Sequence, residues 1–196
     1  MIIDYKNKEN AIACGVEDAD VNGDIFFRGA ENYEGITFKN FPNLHLEEAD
    51  YKNCTFEDCG VVSFYDGEIV GCKFHNVSEI EGHFASFMDC AFSQCCSQGP
   101  FLTIDNVGSV EGCTFETITA LGDDGYIIFS VYGKKKDVRY IKNCKFIDCK
   151  VESEDGLYTY CVYYKRCLAC KTIEIENVDM QSCVFGEGAD TDWQTE

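Results

Sequence analysis

Fourteen cysteines, three histidines and 35 acidic residues are the side chains from which this 196-residue chain could build chemistry. Cys167-Leu-Ala-Cys170, with Cys161 upstream, could offer three thiolates to zinc. One CxxC with neither a second pair nor a nearby histidine falls short of such a site, and these thiols lie in an aromatic, strand-like stretch where buried sulfur is expected. Acid–base cleavage of a glycosidic bond needs two placed carboxylates. The adjacent pair in Leu121-Gly-Asp-Asp-Gly125 (Asp123 and Asp124) reads as a turn. Segment 61–118 holds a single lysine or arginine, Lys73, so it offers no basic proton acceptor beside clustered acids. The sequence thus predicts no catalytic residue, no metal and no cofactor.

Binding chemistry is better represented. The net charge is −19, unevenly spread: residues 1–118 hold 21 acids and 6 bases (−15), residues 119–196 hold 14 and 10 (−4). Phosphate contact needs lysine and arginine, so direct nucleic-acid binding through a basic face is disfavoured. The acids expected to form a binding face are Glu34, Glu47, Glu48, Asp50, Glu57, Asp58, Glu111 and Glu116. A second candidate surface is aromatic: Tyr126, Tyr132, Tyr158, Tyr160, Tyr163 and Tyr164 fall in two strand-like runs, in a residue type favoured at interface hot spots. Lys134-Lys-Lys136 with Arg139 is the one basic cluster, and it follows Gly133 as a solvated tip would.

What must position these residues is a repeat. Tyr51-Lys-Asn-Cys54-Thr-Phe56-Glu-Asp-Cys59 returns as Ile69-Val-Gly-Cys72-Lys-Phe74-His-Asn-Val77 and Phe87-Met-Asp-Cys90-Ala-Phe92-Ser-Gln-Cys95. It recurs at Val110-Glu-Gly-Cys113-Thr-Phe115-Glu-Thr-Ile118 and Ile141-Lys-Asn-Cys144-Lys-Phe146-Ile-Asp-Cys149. Tyr33-Glu-Gly-Ile36-Thr-Phe38-Lys-Asn-Phe41 opens the series, and Met180-Gln-Ser-Cys183-Val-Phe185 is read as its close. Cys and Phe two apart share one face of a strand, and the residue between them faces out. The small or polar residue before Cys suits a bend, and apolar residues three before and five after it turn inward. Such three- or four-residue strands cannot stand alone. Stacked about 4.8 Å apart they bury their Cys and Phe columns against each other, and seven give a rod roughly 34 Å long. Most cysteines are therefore expected as buried thiols, not disulfides. Anchor spacings of 18, 18, 18, 23, 31 and 39 put growing excursions at 119–140 and 150–179, as broader coils or projecting hairpins.

This unit resembles the repeats of right-handed parallel β-helices, the pectin-lyase-like superfamily, over residues 33–188. The two-and-three alternation at Leu44, Leu46, Ala49, Tyr51, Cys54, Phe56 and Cys59 is also similar to pentapeptide-repeat proteins. The resemblance implies an all-β solenoid of about seven coils: 1–32 as N-terminal cap and first coil, 33–118 as short coils, 119–188 as longer ones and 189–196 as a tail. Polygalacturonase-like members would imply Asn-Thr-Asp, Asp-Asp, Gly-His-Gly and Arg-Ile-Lys, of which Asp123-Asp124 alone matches; His45, His75 and His83 sit in no Gly-His-Gly. The expected function is a non-catalytic module whose acidic rod binds a basic protein partner, such as a nucleic-acid-binding enzyme. Duplex DNA carries one charge per about 1.7 Å, and acidic pentapeptide-repeat proteins that imitate it offer a precedent by resemblance, as would a phage-encoded inhibitor or an immunity protein. The alternatives are a carbohydrate-binding or -cleaving β-helix and a structural phage or oligomeric module. The N-terminus lacks the apolar run of a secretory signal and no stretch approaches a membrane span, so a cytoplasmic protein is expected.

Overall fold

The computed structural model describes residues 1–17, 24–27, 32–105, 108–122, 125–131, 139–151, 158–160 and 173–184. Every strand pair it describes is parallel except Val16–Glu17 with Ile25–Phe27. The chain is a right-handed parallel β-helix, the hand that strand twist imposes on parallel connections.

The first sheet holds the Cys-x-Phe anchors. Ile2–Asp4, Thr37–Lys39, Thr55–Glu57, Lys73–His75, Ala91–Ser93, Thr114–Glu116, Lys145–Ile147 and Asp179–Gln181 stack in that order. Register puts Phe38, Phe56, Phe74, Phe92, Phe115 and Phe146 in one buried column. Their rings stack face to face at 4.5–5.1 Å with interplanar angles of 4–14°. Beside them run two thiol columns. Each Cys Sγ donates to a carbonyl of the preceding coil: Cys72 to Tyr51 O (3.3 Å) and Cys90 to Ile69 O (3.3 Å) in one, Cys149 to Phe115 O (3.4 Å) and Cys183 to Phe146 O (3.5 Å) in the other. Cysteine suits these columns because it is small and apolar yet carries one weak donor. All described cysteines are free thiols.

Two left-handed corners bracket each anchor. Before the Cys position stand Gly35, Asn53, Gly71, Asp89, Gly112, Asn143 and Asn177; after the Phe stand Asn40, Asp58, Asn76, Gln94, Thr117, Asp148 and Ser182, all with φ between 51° and 66°. Short polar side chains tolerate this region and bond along the column, as Asn76 does to Asp58 (2.9 Å) and Asn177 to Asn143 (2.8 Å).

The second sheet covers the other side and has two halves joined at a corner. One half is Ile25–Phe27, Asn43–Leu46, Leu102–Asp105, Ile128–Val131 and Tyr158–Tyr160; the other is Asn32–Glu34, Asp50–Lys52, Val110–Glu111, Arg139–Lys142 and Ile173–Glu176. Val61–Val70 and Glu79–Met88 run through both. Extra residues enter at two places, ahead of Leu102 and Ile128 and at the corner between the two halves, as the register offsets on either side of each show. Ile128–Val131 and Tyr158–Tyr160 continue the parallel stack, so each is part of a broader coil and not a hairpin. A small third sheet, Cys96–Ser97, Thr119–Ala120 and Lys150–Val151, appears where the coils widen. The helix Lys8–Ala13, N-capped by Asn7, packs on the terminal strands Ile2–Asp4 and Val16–Glu17.

The closing repeat differs from its expected register by five residues. Met180 lies opposite Phe146, Asn177 opposite Asn143 and Cys183 below Cys149, so Val178 takes the anchor position and the last spacing is 34 (178 − 144). A repeat with apolar residues both at the anchor and five residues later can be read in either frame. Strand Ile173–Glu176, pairing with Arg139–Lys142, fixes which one forms.

Candidate functional site

The outward face of the second sheet is where side chains capable of chemistry converge. Period-two alternation turns Phe26, His45, Ser63, Glu81 and Thr103 outward in one column, and Tyr65, His83 and Asp105 in the next. His45 stacks on Phe26 (5.0 Å, 23°) and Tyr65 on His83 (4.8 Å, 18°), with His45 and Tyr65 tilted at 5.9 Å between the pairs. The Tyr65 hydroxyl meets His45 Nδ1 at 3.3 Å. Asp24 Oδ1 lies 3.3 Å from the buried His45 Nε2 without hydrogen-bond alignment, and Asn43 Nδ2 donates to the same carboxylate. His83 Nδ1 lies 2.7 Å from Asp105 Oδ2, and its Nε2 is 3.7 Å from Glu81 Oε2. The fully buried Ser63 hydroxyl donates to that same Glu81 oxygen at 2.6 Å.

Carboxylates dominate this face. Asp24, Glu47, Glu48, Asp50, Asp66, Glu68, Glu79, Glu81 and Asp105 all lie on the stretches 24–27, 43–50, 61–68, 79–85 and 102–105, which contain no lysine or arginine, although Lys52 follows on the outward side of the strand that carries Asp50. Burial, then the neighbouring Glu81 charge, pushes the Glu79 carboxyl above its ordinary value. Burial likewise raises the Tyr65 hydroxyl, with Glu81, Asp24 and Asp105 adding to it. A groove of about 490 Å³ opens here, lined among the described residues by Phe26, Glu47, Glu48 and Tyr65.

Of the eight acids expected to act together, Glu47, Glu48 and Asp50 belong to this face. Glu57 and Asp58 lie on the first-sheet side, where Lys39 Nζ sits 2.7 Å from Glu57 and 3.6 Å from Asp58. Glu116 shares the Glu57 column, but His75 and Ser93 intervene. Glu34 lies opposite Lys52 and Glu111 opposite Lys142. The eight therefore form no continuous stripe, because each expected column is interrupted by a base or a neutral residue. Tyr126 does not face solvent: it is buried at 7 % exposure, where the chain turns inward before Ile128. Tyr158 and Tyr160 lie in a strand of the second sheet. Tyr132, Tyr163, Tyr164, Cys161, Cys167, Cys170, Asp123, Asp124 and Lys134–Lys136 fall outside the described residues. Sequence reasoning missed Phe26, His45, Tyr65, His83, Glu81 and Asp105, although 45, 63 and 81, like 65 and 83, repeat at the same 18-residue interval as the anchors.

Fold and face together define an acidic parallel β-helix. No protein-family profile matches the sequence, and no curated protein matches it. Among solved structures, HetL is similar in outline: a pentapeptide-repeat protein involved in heterocyst differentiation regulation from the cyanobacterium Nostoc. The match is 8% identical with a TM-score of 0.19, covering 80% of this chain and 85% of HetL. QnrB1, a plasmid-mediated fluoroquinolone resistance protein, matches at 13% identity and a TM-score of 0.17, over 76% and 84% of the two chains. At those scores the fold is read from this chain's own strand pairing. Among the described residues no helix is long and apolar enough to cross a membrane.

Proposed function

We propose that the chain is a non-catalytic binding module whose acidic second-sheet face takes a basic protein partner, in the manner of a duplex-DNA mimic. The observation that carries this is the set of nine carboxylates on stretches with no lysine or arginine. From Ile25–Phe27 to Leu102–Asp105 the face crosses five coils. At about 4.8 Å per coil that is roughly one carboxylate per 2.7 Å, of the same order as the one charge per about 1.7 Å of duplex DNA. Attraction of that kind steers association and fades with salt.

Two features weigh against the other readings. Tyr65 and Phe26 each spend a ring face on His83 and His45, which reduces the open platform a sugar would stack on. Both His83 nitrogens face carboxylates, leaving neither directed at a substrate proton. The test is capture of basic DNA-binding proteins on the immobilised chain. Retention is expected to be eluted by about 0.3–0.5 M NaCl, competed by duplex DNA, and abolished when Glu47, Glu48, Glu68 and Glu81 are together changed to lysine. Retention that survives those reversals would sink the proposal.

A further inference from the structure

Phe84 departs from the pattern that builds the rest of the rod. It has φ +59° and is 53 % exposed, whereas the other non-glycine residues described with positive φ are all Asn, Asp, Gln, Thr or Ser. A large side chain gains nothing there from the short-range polar bonds that let Asn or Asp accept the left-handed region. The conformation is enforced by Asp105, which accepts the Phe84 backbone N–H on Oδ1 (3.1 Å) and faces His83 Nδ1 with Oδ2 (2.7 Å). The result is a bulky ring held out into solvent at a backbone position where Gly or Asn would rest more easily. Strain kept in place by a neighbouring network is a mark of a functional position.

Its surroundings name the partner. Of the large apolar or aromatic side chains exposed among the described residues, Met1, Ile2, Ile12 and Val184 lie near the ends of the chain, while Tyr65 and Phe84 sit mid-rod on adjacent coils. The stretches around them carry Glu47, Glu48, Asp66, Glu68, Glu81 and Asp105 and no lysine or arginine. A second copy of this chain would bring the same carboxylates against them, and is disfavoured. An aromatic anchor inside an acidic rim fits a surface with an apolar pocket inside a basic rim.

We propose that Phe84, with Tyr65 beside it, is the anchor by which this face docks a basic protein partner into whose apolar pocket the ring inserts. The proposal rests on the acidic-face reading and adds an apolar determinant to it. The probe is a capped hexapeptide of four arginines and two leucines, with a control that has glycine in place of leucine. Wild type is expected to bind the leucine peptide about tenfold more tightly than the equally charged control. Phe84→Ala and Phe84→Gly are each expected to erase that preference and leave binding of the control unchanged. Phe84→Gly also relieves the backbone, and its Tm should exceed that of Phe84→Ala by about 2–4 °C. A leucine preference that persists in Phe84→Gly, or a Phe84→Gly protein less stable than wild type, overturns the proposal. Equal binding of both peptides by wild type overturns it while leaving the acidic face standing. Binding of neither overturns both.

Discussion

At the scale of single residues, the thiols show how a repeat recruits cysteine for packing. Burial is the leading cause raising Cys59, Cys95 and Cys144 to about 11 and Cys149 to about 12, and Cys72, lowered by its contact with Cys54 but raised by its contact with Cys90 and then by burial, also reaches about 12. Each is therefore a neutral donor at physiological pH, and the sign of its linkage follows. The folded chain holds these protons more tightly than the unfolded chain, so stability is intact below the ordinary thiol value and falls as pH rises from there towards 11–12. Each such thiol contributes a loss approaching about 1.4 kcal/mol per pH unit in that window. Circular dichroism under reducing conditions is expected to show alkaline unfolding beginning between about pH 9 and 10, and a structure unchanged to pH 11 would contradict the assignment. The neighbouring pair Cys95 and Cys96 gives an internal control: one is 2 % exposed and the other lies on the surface. Alternation along the chain over 95–97 puts the two thiols on opposite sides. The placement of His45 and His83 was not legible in the sequence, because nothing local to a histidine says which coil's carboxylate will stand beside it.

At the scale of elements, the Phe column is the continuous apolar contact along the first sheet. Phe92 is enclosed by Phe74 at 4.8 Å, Phe115 at 4.5 Å and the edge of Phe101 at 5.8 Å. Truncation to alanine leaves a cavity that the neighbouring coils cannot close without losing their own register. Phe92→Ala is expected to lower the unfolding free energy by about 3–5 kcal/mol in urea titration, and Phe92→Leu by less than half of that. A loss below about 1 kcal/mol would mean that the column does not carry the packing. The anchors, the corner before each Cys and the inward residues around it were all legible, because each follows from strand alternation and the conformational tolerance of Gly, Asn and Asp. The last coil was not. Met180 stands in for Phe and Val178 for Cys as partly buried apolar residues, so only pairing with Arg139–Lys142 and Lys145–Ile147 separates the two frames. The eight acids divide between sides of the rod for a related reason: residues one coil apart, 18 in the short coils, share a column, and Glu47 and Glu57 do not.

At the scale of the whole molecule, the charge has opposite consequences for folding and for binding. The net charge is −19, and the excess lies in residues 1–118. On the second-sheet face, coil stacking gathers carboxylates from successive coils on one side of the rod, against self-repulsion that a compact state cannot escape. Lys39 relieves this locally at Glu57 and Asp58, but the stretches bearing Glu47, Glu68 and Glu81 hold no comparable cation. A face that only kept the rod soluble could spread its charge evenly, as the first sheet does with Lys39, Lys73 and Lys145 among its outward residues. Concentrating it on one side weakens the fold and strengthens any basic contact. The two effects respond to salt with opposite sign. Between about 10 and 200 mM NaCl the Debye length falls from about 30 Å to below 10 Å, so Tm is expected to rise by about 3–6 °C as repulsion is screened. Over the same range, affinity for the arginine-rich peptides is expected to fall at least tenfold. The Glu47, Glu48, Glu68 and Glu81 reversal should flatten both curves together, since one set of charges drives each. A Tm that falls with salt while binding weakens would show that these carboxylates are stabilised in the fold by partners of their own, and would detach the charge of this face from its use.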